Sequence, residues 1–156
     1  HPLKWTARIP ENGREVPTAV IADDLFALVF DDGTASYFFV EIDRGSMPVR
    51  RHGESAEEFT GGKQRLRTYY KQKLATYYHG WRQRRHVDKF GIEQLRILTV
   101  TTSQQRIQTM LDALREITNG KGSGLFLFAT QDQIASDNLF ETEWRSGKGE
   151  LVRLTD

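Results

Sequence analysis

The fold is decided by one stretch, which reads Ala22-Asp-Asp-Leu-Phe-Ala-Leu-Val-Phe30, then Asp31-Asp-Gly-Thr34, then Ser36-Tyr-Phe-Phe-Val-Glu-Ile-Asp-Arg44. Two apolar runs joined by Asp-Gly are typical of a tight antiparallel β-hairpin. We predict its strands at 20–30 and 36–43. Both runs are apolar on their two faces, which indicates strands that are covered on both sides, as in a layered α/β domain.

The register of this hairpin decides which acidic residues meet. If Asp32-Gly33 forms a two-residue turn, Asp24 lies directly opposite Glu41. Asp43 lies two residues beyond Glu41 and therefore on the same face. This register predicts three carboxylates at the open end of the hairpin. A shift by one residue would bring Asp23 there in place of Asp24.

Three converging carboxylates indicate a metal site, because like charges facing each other destabilise a sheet unless a cation joins them. Oxygen ligands suit Mg²⁺ or Mn²⁺. We therefore predict Asp24, Glu41 and Asp43 as metal ligands and catalytic residues. The alternative is that they are ordinary solvated acids near a turn.

A long helix is predicted after the hairpin. A capping box at 55–58 predicts a helix start, and a clear helical pattern begins at Lys63. Lys73 lies on the flank of its apolar stripe, from where it could reach the carboxylates and orient a water molecule or stabilise developing charge. The alternative for Lys73 is a plain surface lysine. The stripe itself consists of Leu66, Tyr70, Leu74, Tyr77 and Trp81.

The second half of the chain predicts a strand–helix–strand unit. The strands are expected at 95–102 and 124–130, with Ser103 as the N-cap of the helix between them. Such a unit pairs its strands in parallel through a right-handed crossover. We also expect Trp5, Ile9 and Trp144 to pack on the core and a short edge strand over 151–154. The predicted fold is a single α/β domain over residues 1–156, a three-layer sandwich around a mixed sheet.

The net charge of +1 conceals an uneven distribution. Residues 1–62 carry eleven acidic and six basic residues, whereas residues 63–89 carry nine Lys or Arg and one acid. An acidic site beside a basic segment favours a phosphate-bearing partner, although a solvated basic helix face is the alternative. The predicted nucleic-acid contacts are Arg44, Arg50, Arg51, Arg65, Arg67 and Lys71.

Several classes of protein are disfavoured. The absence of Cys rules out disulfides and thiolate zinc sites, and no Walker loop, GxGxxG or Gly-x-Ser-x-Gly motif is present. No apolar run approaches a membrane span, no signal peptide is recognisable, and a cytoplasmic location is the default expectation. Tyr69 and Tyr78 lie off the apolar stripe, where they could attack a DNA phosphate or stack on bases.

The motif Asp24 … Glu41-Ile-Asp43 before a long helix resembles the core of the PD-(D/E)xK nucleases, in which acidic residues and a lysine bind Mg²⁺ and activate water. Over roughly residues 20–130 the chain more closely resembles the replication-relaxation protein family. The segments that carry this resemblance are Ile21–Leu28, Phe39-Val-Glu-Ile-Asp-Arg-Gly45, Lys73–Tyr77, and Leu98–Ser103 followed by Arg106.

This resemblance implies a DNA-acting domain of a plasmid or mobile-element replication protein, either a Mg²⁺-dependent endonuclease or nickase, or an inactive module that binds DNA or a replication partner. Asp43 replaces the lysine of the nuclease Glu-x-Lys motif, which makes Lys73 the natural substitute. Family members often carry an upstream winged-helix domain, which we expect before His1. DNA is the expected partner, with replication or mobilisation proteins and a homodimer as further expectations.

Overall fold

The computed structural model describes residues 1–45 and 62–156, and for 62–69 it describes the backbone alone. Within these ranges the chain forms eight strands and four helices. In chain order they are β1 (Lys4–Glu11), β2 (Arg14–Ile21), β3 (Asp24–Val29), β4 (Ala35–Ile42), α1 (Gly62–Arg82), α2 (Arg85–Phe90), β5 (Leu95–Thr101), α3 (Gln104–Ile117), β6 (Phe126–Thr130), α4 (Gln131–Asp137), β7 (Trp144–Ser146) and β8 (Leu151–Val152). The capping box predicted at 55–58 lies outside the described residues.

Six strands form one mixed sheet in the order β3-β4-β5-β6-β7-β8. The three central strands, β4, β5 and β6, run parallel, and β3, β7 and β8 add antiparallel pairs at the two sides. The prediction of a mixed α/β fold is therefore confirmed, including the antiparallel hairpin and the parallel strand–helix–strand unit. Because β4, β5 and β6 are parallel, their carboxyl ends lie at one edge of the sheet.

A separate hairpin, β1–β2, precedes this sheet. Its turn is Asn12-Gly13, and both residues adopt positive φ, 51° and 77°. That conformation suits a tight hairpin turn and is favourable for Asn-Gly. The predicted strand over 20–30 is thus wrong in extent, because it divides into the end of β2 and the start of β3. Trp5 and Ile9 of β1 are buried, as predicted.

The two longer helices pack on the same face of the six-stranded sheet. Side chains of α1 and α3 form one buried cluster with Trp5, Phe39 and Phe128. On the other face, Phe38 and Trp144 belong to a second cluster, to which α4 and the last strand add partly buried side chains. Trp144 is fully buried, as predicted. No helix in the described ranges is both long and apolar enough to cross a membrane.

Candidate functional site

The hairpin register differs by one residue from the predicted register. Asp24 pairs with Val40 rather than with Glu41. Because successive residues of a strand point to opposite faces, Asp24 lies on the face away from Glu41. The Asp24 carboxylate is exposed and accepts a hydrogen bond from the backbone N–H of Leu25 at 2.8 Å. The prediction that Asp24 joins Glu41 and Asp43 is wrong.

The turn explains the shift. The loop contains three residues, 31–33, rather than two, since the Phe30 N–H donates to the Thr34 carbonyl at 2.8 Å. Gly33 adopts the left-handed conformation, with φ of 86°. The Asp32 carboxylate accepts hydrogen bonds from the Thr34 N–H and hydroxyl. Three-residue hairpin loops commonly end with a residue in the left-handed conformation. The hydrogen bonds of the Asp32 carboxylate favour this three-residue loop here.

Asp23 takes the place that was predicted for Asp24. Its N–H donates to the Val40 carbonyl at 2.9 Å, and its carboxylate accepts a hydrogen bond from the Ile42 N–H at 2.7 Å. The Asp23 side chain is exposed and contributes to the electrostatic field at Glu41. Asp23 and Glu41 are therefore the two acids that face each other across the hairpin.

Glu41 lies buried near the end of the central strand β4. One carboxylate oxygen accepts a hydrogen bond from the Lys73 ammonium at 3.1 Å, and the other accepts from the Tyr77 hydroxyl at 2.5 Å. Burial raises the pKa of Glu41, and the nearby Lys73 and Tyr77 offset this rise only in part. Burial and the neighbouring Glu41 carboxylate raise the pKa of Tyr77. The contact of Lys73 with the strand-borne acid, which the sequence left open against a plain surface lysine, is present in the structure.

Asp43 is also buried, but its partners differ from those of Glu41. The Arg106 guanidinium binds both carboxylate oxygens, with Nε at 2.6 Å and Nη2 at 3.1 Å. The Thr101 hydroxyl donates to one oxygen at 2.6 Å, and the Gly45 N–H donates to the other at 3.1 Å. Burial acts to raise the pKa of Asp43, but the hydrogen bonds from Arg106 and Thr101 outweigh it and lower the pKa below its usual value.

The residues present do not fit the predicted three-carboxylate metal site. Asp24 points away, and both oxygens of Asp43 are held by Arg106, Thr101 and Gly45. In the described ranges, no three His, Asp or Glu side chains are grouped so as to hold a metal ion. What the arrangement offers is an acidic pair, Asp23 and Glu41, with one lysine held against it.

The predicted nucleic-acid contacts fall into three groups. Arg44 is exposed directly after Asp43, beside the site. Lys71 is exposed on α1 and forms an ion pair with Glu116 at 3.1 Å. Arg50 and Arg51 lie outside the described residues, and the side chains of Arg65 and Arg67 do as well. Of these cations, the structure therefore describes Arg44, which follows the strand that carries Glu41, and Lys71, which is paired with Glu116.

Sequence reasoning missed two side chains that define the site. Tyr77 was assigned to packing alone, although a buried phenol generally has a hydrogen-bond partner. Arg106 carried a signal that could have been used, because it lies in the first turn of α3. A cation is unfavourable at the amino end of a helix. Its presence there indicates a nearby anion, which the structure identifies as Asp43.

Comparison with known proteins gives no match: no family model, no curated protein and no solved structure is similar enough to place this chain in a family.

Proposed function

We propose that this chain is a DNA-acting domain of the replication-relaxation type, built on a three-layer, PD-(D/E)xK-like nuclease core. The observation that carries the proposal is the contact between Lys73 and Glu41, at 3.1 Å. These residues are 32 positions apart and lie on different elements. The resemblance to the nucleases leads us to expect a lysine against this acid, and the lysine comes from the helix that follows the strand.

The position of this pair within the sheet supports the proposal. Glu41 is near the carboxyl end of β4, which pairs in parallel with β5, and β5 pairs in parallel with β6. Ligands of open α/β sheets generally bind outside the carboxyl ends of parallel strands. The exposed Arg44 lies at this edge, where it can contact a phosphate. A polyanion bound there would lie across the Glu41–Lys73 pair.

Binding without cleavage is the second candidate function. It is favoured by Asp43, whose carboxylate is engaged by Arg106 instead of being open to a ligand. In such a module, Asp43 and Arg106 would hold β4 against α3, and the cations around the edge would supply the affinity for DNA. That affinity would fall steeply with salt, because phosphate binding releases counterions.

Incubation of the domain with supercoiled plasmid and Mg²⁺ or Mn²⁺ tests cleavage. If the domain is a nuclease, it should nick or linearise the plasmid, and Glu41→Ala and Lys73→Ala should each abolish cutting. The matched control is Arg14→Ala, which removes an exposed cation at the β1–β2 turn, outside the site, and should cut like wild type. Cutting that persists in both site variants would contradict the assignment of Glu41 and Lys73.

A mobility-shift titration with duplex DNA at several salt concentrations tests binding. If the domain binds without cutting, wild type, Glu41→Ala and Lys73→Ala should all retard the duplex, with affinity that weakens as salt rises. Arg44→Ala should lower this affinity, whereas Arg14→Ala, which removes an exposed arginine at the β1–β2 turn, should not. Absence of both cutting and retardation at low salt would overturn the proposal of a DNA-acting domain.

A further inference from the structure

We propose that a groove at the amino ends of β5 and β6 binds an unpaired base of single-stranded nucleic acid. The groove encloses about 430 Å³ between the last turns of α1 and the loop 122–125. Tyr78 and Trp81 line it together with Lys148. The inference rests on the proposed function only in taking nucleic acid as the class of ligand, since its residues are separate from Glu41 and Lys73.

Of the two aromatic side chains of the groove, Trp81 is exposed and Tyr78 is partly buried. Trp81 is the last member of the apolar stripe of α1, yet 39% of its surface is exposed. The rings of Tyr78 and Trp81 lie next to each other, with centroids 6.4 Å apart and planes inclined by 35°. An exposed aromatic surface of this kind is a platform on which a base can stack without sequence preference.

Cationic side chains lie beside these rings. The Arg82 guanidinium lies over the Tyr78 ring, 5.7 Å from its centroid. Lys148 lines the groove, and the exposed Lys121 directly precedes the loop. Stacking rings flanked by cations are complementary to a base and its neighbouring phosphates. This combination favours a nucleotide over an uncharged apolar ligand.

The loop on the other side of the groove leaves room for a ligand. A Cβ atom placed on Gly124 would meet nothing within 4 Å, so the space beside it is open. Gly122 instead lies against the carbonyl of Gly147, which fixes the loop to the turn that carries Lys148. The loop is therefore held in place while its open side faces the groove.

The groove and the Glu41–Lys73 pair are linked by a single helix. Trp81 lies eight positions after Lys73 on α1, which corresponds to about 12 Å along the helix axis. A single strand that stacks on Trp81 could therefore reach Lys73 within a few nucleotides. The groove would then select an unpaired region of DNA and present the adjoining phosphates to the site.

Intrinsic fluorescence provides a direct test, because Trp81 is the reporter. Trp5 and Trp144 are 1% and 0% exposed, so a base that stacks on the surface should quench Trp81 alone. Titration with an oligothymidylate at low salt should quench the wild type, and the change should disappear in Trp81→Phe. Binding of a fluorescein-labelled oligothymidylate should weaken roughly 5- to 150-fold in Trp81→Ala.

Two further variants define the control and the charge contribution. Phe140→Ala removes another exposed aromatic side chain, outside the groove, and should bind like wild type. Lys148→Gln should weaken binding and make it less dependent on salt. Equal affinity of Trp81→Ala and Phe140→Ala, with no quenching in the wild type, would overturn the proposal.

Two further measurements distinguish a strand from a free nucleotide as the ligand, and this proposal from the proposed function. If thymidine monophosphate binds as tightly as the oligonucleotide, the groove recognises free nucleotides and the assignment to a strand is overturned. Quenching should survive in Glu41→Ala, because that residue is not in the groove. A domain that fails the plasmid and duplex assays but still shows Trp81 quenching would lose the proposed function while retaining this site.

Discussion

At the scale of single residues, the two buried acids of the candidate site are stabilised in opposite ways. Asp43 is held by a bidentate guanidinium, which is a strong and geometrically specific interaction. The Glu41 carboxylate accepts hydrogen bonds from one ammonium and one phenol, and burial nevertheless raises its pKa. Asp43 therefore has the character of a structural ion pair, whereas Glu41 retains a higher affinity for a proton and a less complete set of partners.

Arg106→Met should destabilise the domain strongly, because it leaves the Asp43 carboxylate buried with no cation. Breaking a buried ion pair on one side costs about 3–5 kcal/mol. The matched control lies on the same helix: Arg115 pairs with Asp112 at 3.4 Å, and both side chains are about half exposed. Arg115→Met should cost less than about 1 kcal/mol.

Urea unfolding of the two arginine variants provides the comparison. A lower midpoint with an unchanged slope would show that stability alone has changed. If Arg106→Met unfolds at the same urea concentration as Arg115→Met, Asp43 does not depend on its arginine, and its carboxylate would again be a candidate ligand.

At the scale of elements, the turn of the β3–β4 hairpin determines which acid meets Glu41. Gly33 adopts φ of 86°, and the space where its Cβ would lie is open. Gly33→Ala should therefore destabilise the domain through backbone strain alone, by about 1–2 kcal/mol. Gly124 is also unobstructed but does not have positive φ, so Gly124→Ala is the matched control and should change stability by less than about 1 kcal/mol.

Thermal unfolding of both glycine variants tests this assignment. A larger fall in Tm for Gly33→Ala than for Gly124→Ala is expected. A similar fall in Tm for both variants would mean that the left-handed turn does not constrain the hairpin. The register that places Asp24 opposite Glu41 would then again be an alternative.

The cap of α3 connects this element to the site. The Ser103 hydroxyl accepts a hydrogen bond from the Arg106 N–H at 3.2 Å, which fixes the first turn from which Arg106 reaches Asp43. Ser103→Ala should cost about 1 kcal/mol. Ser103→Asp should retain the cap, and denaturant unfolding of the pair should separate capping from a general effect of substitution. Equal loss in both variants would contradict the capping role.

At the scale of the whole molecule, the order of the β3–β4 hairpin, α1 and the parallel strand–helix–strand unit could be predicted because it depends on coarse signals. Long apolar runs, an Asp-Gly turn and the helical spacing of 3.6 residues indicate the hairpin, α1 and the parallel unit without any knowledge of contacts. The place of Lys73 on the flank of the α1 stripe put it within possible reach of the hairpin acids, but the pattern did not distinguish it from a plain surface lysine.

Other features depend on geometry that the sequence pattern does not resolve. A turn of two or three residues changes the register by one, and this moved Asp24 to the opposite face. The strand β2 was missed because it contains Pro17, which disfavours a central strand. In a two-stranded sheet every strand is an edge strand, and a proline is tolerated there. The exposure of Trp81 depends on where α1 passes the end of the sheet.

The pH dependence of folding should show the two carboxylates acting with opposite signs. The pKa of Asp43 is lowered, so its ionised form stabilises the fold above pH 3.8, and this contribution should vanish as pH falls through the folded-state pKa. The pKa of Glu41 is raised from 4.5, so wild type should lose stability as pH rises from 4.5 through the folded-state pKa.

Urea unfolding of wild type, Asp43→Asn and Glu41→Gln across pH 3–8 measures both effects. The advantage of wild type over Asp43→Asn should shrink towards acid pH, whereas its stability relative to Glu41→Gln should improve there. Two differences that change in the same direction would contradict the assignment of a structural ion pair to Asp43 and a proton-retaining acid to Glu41.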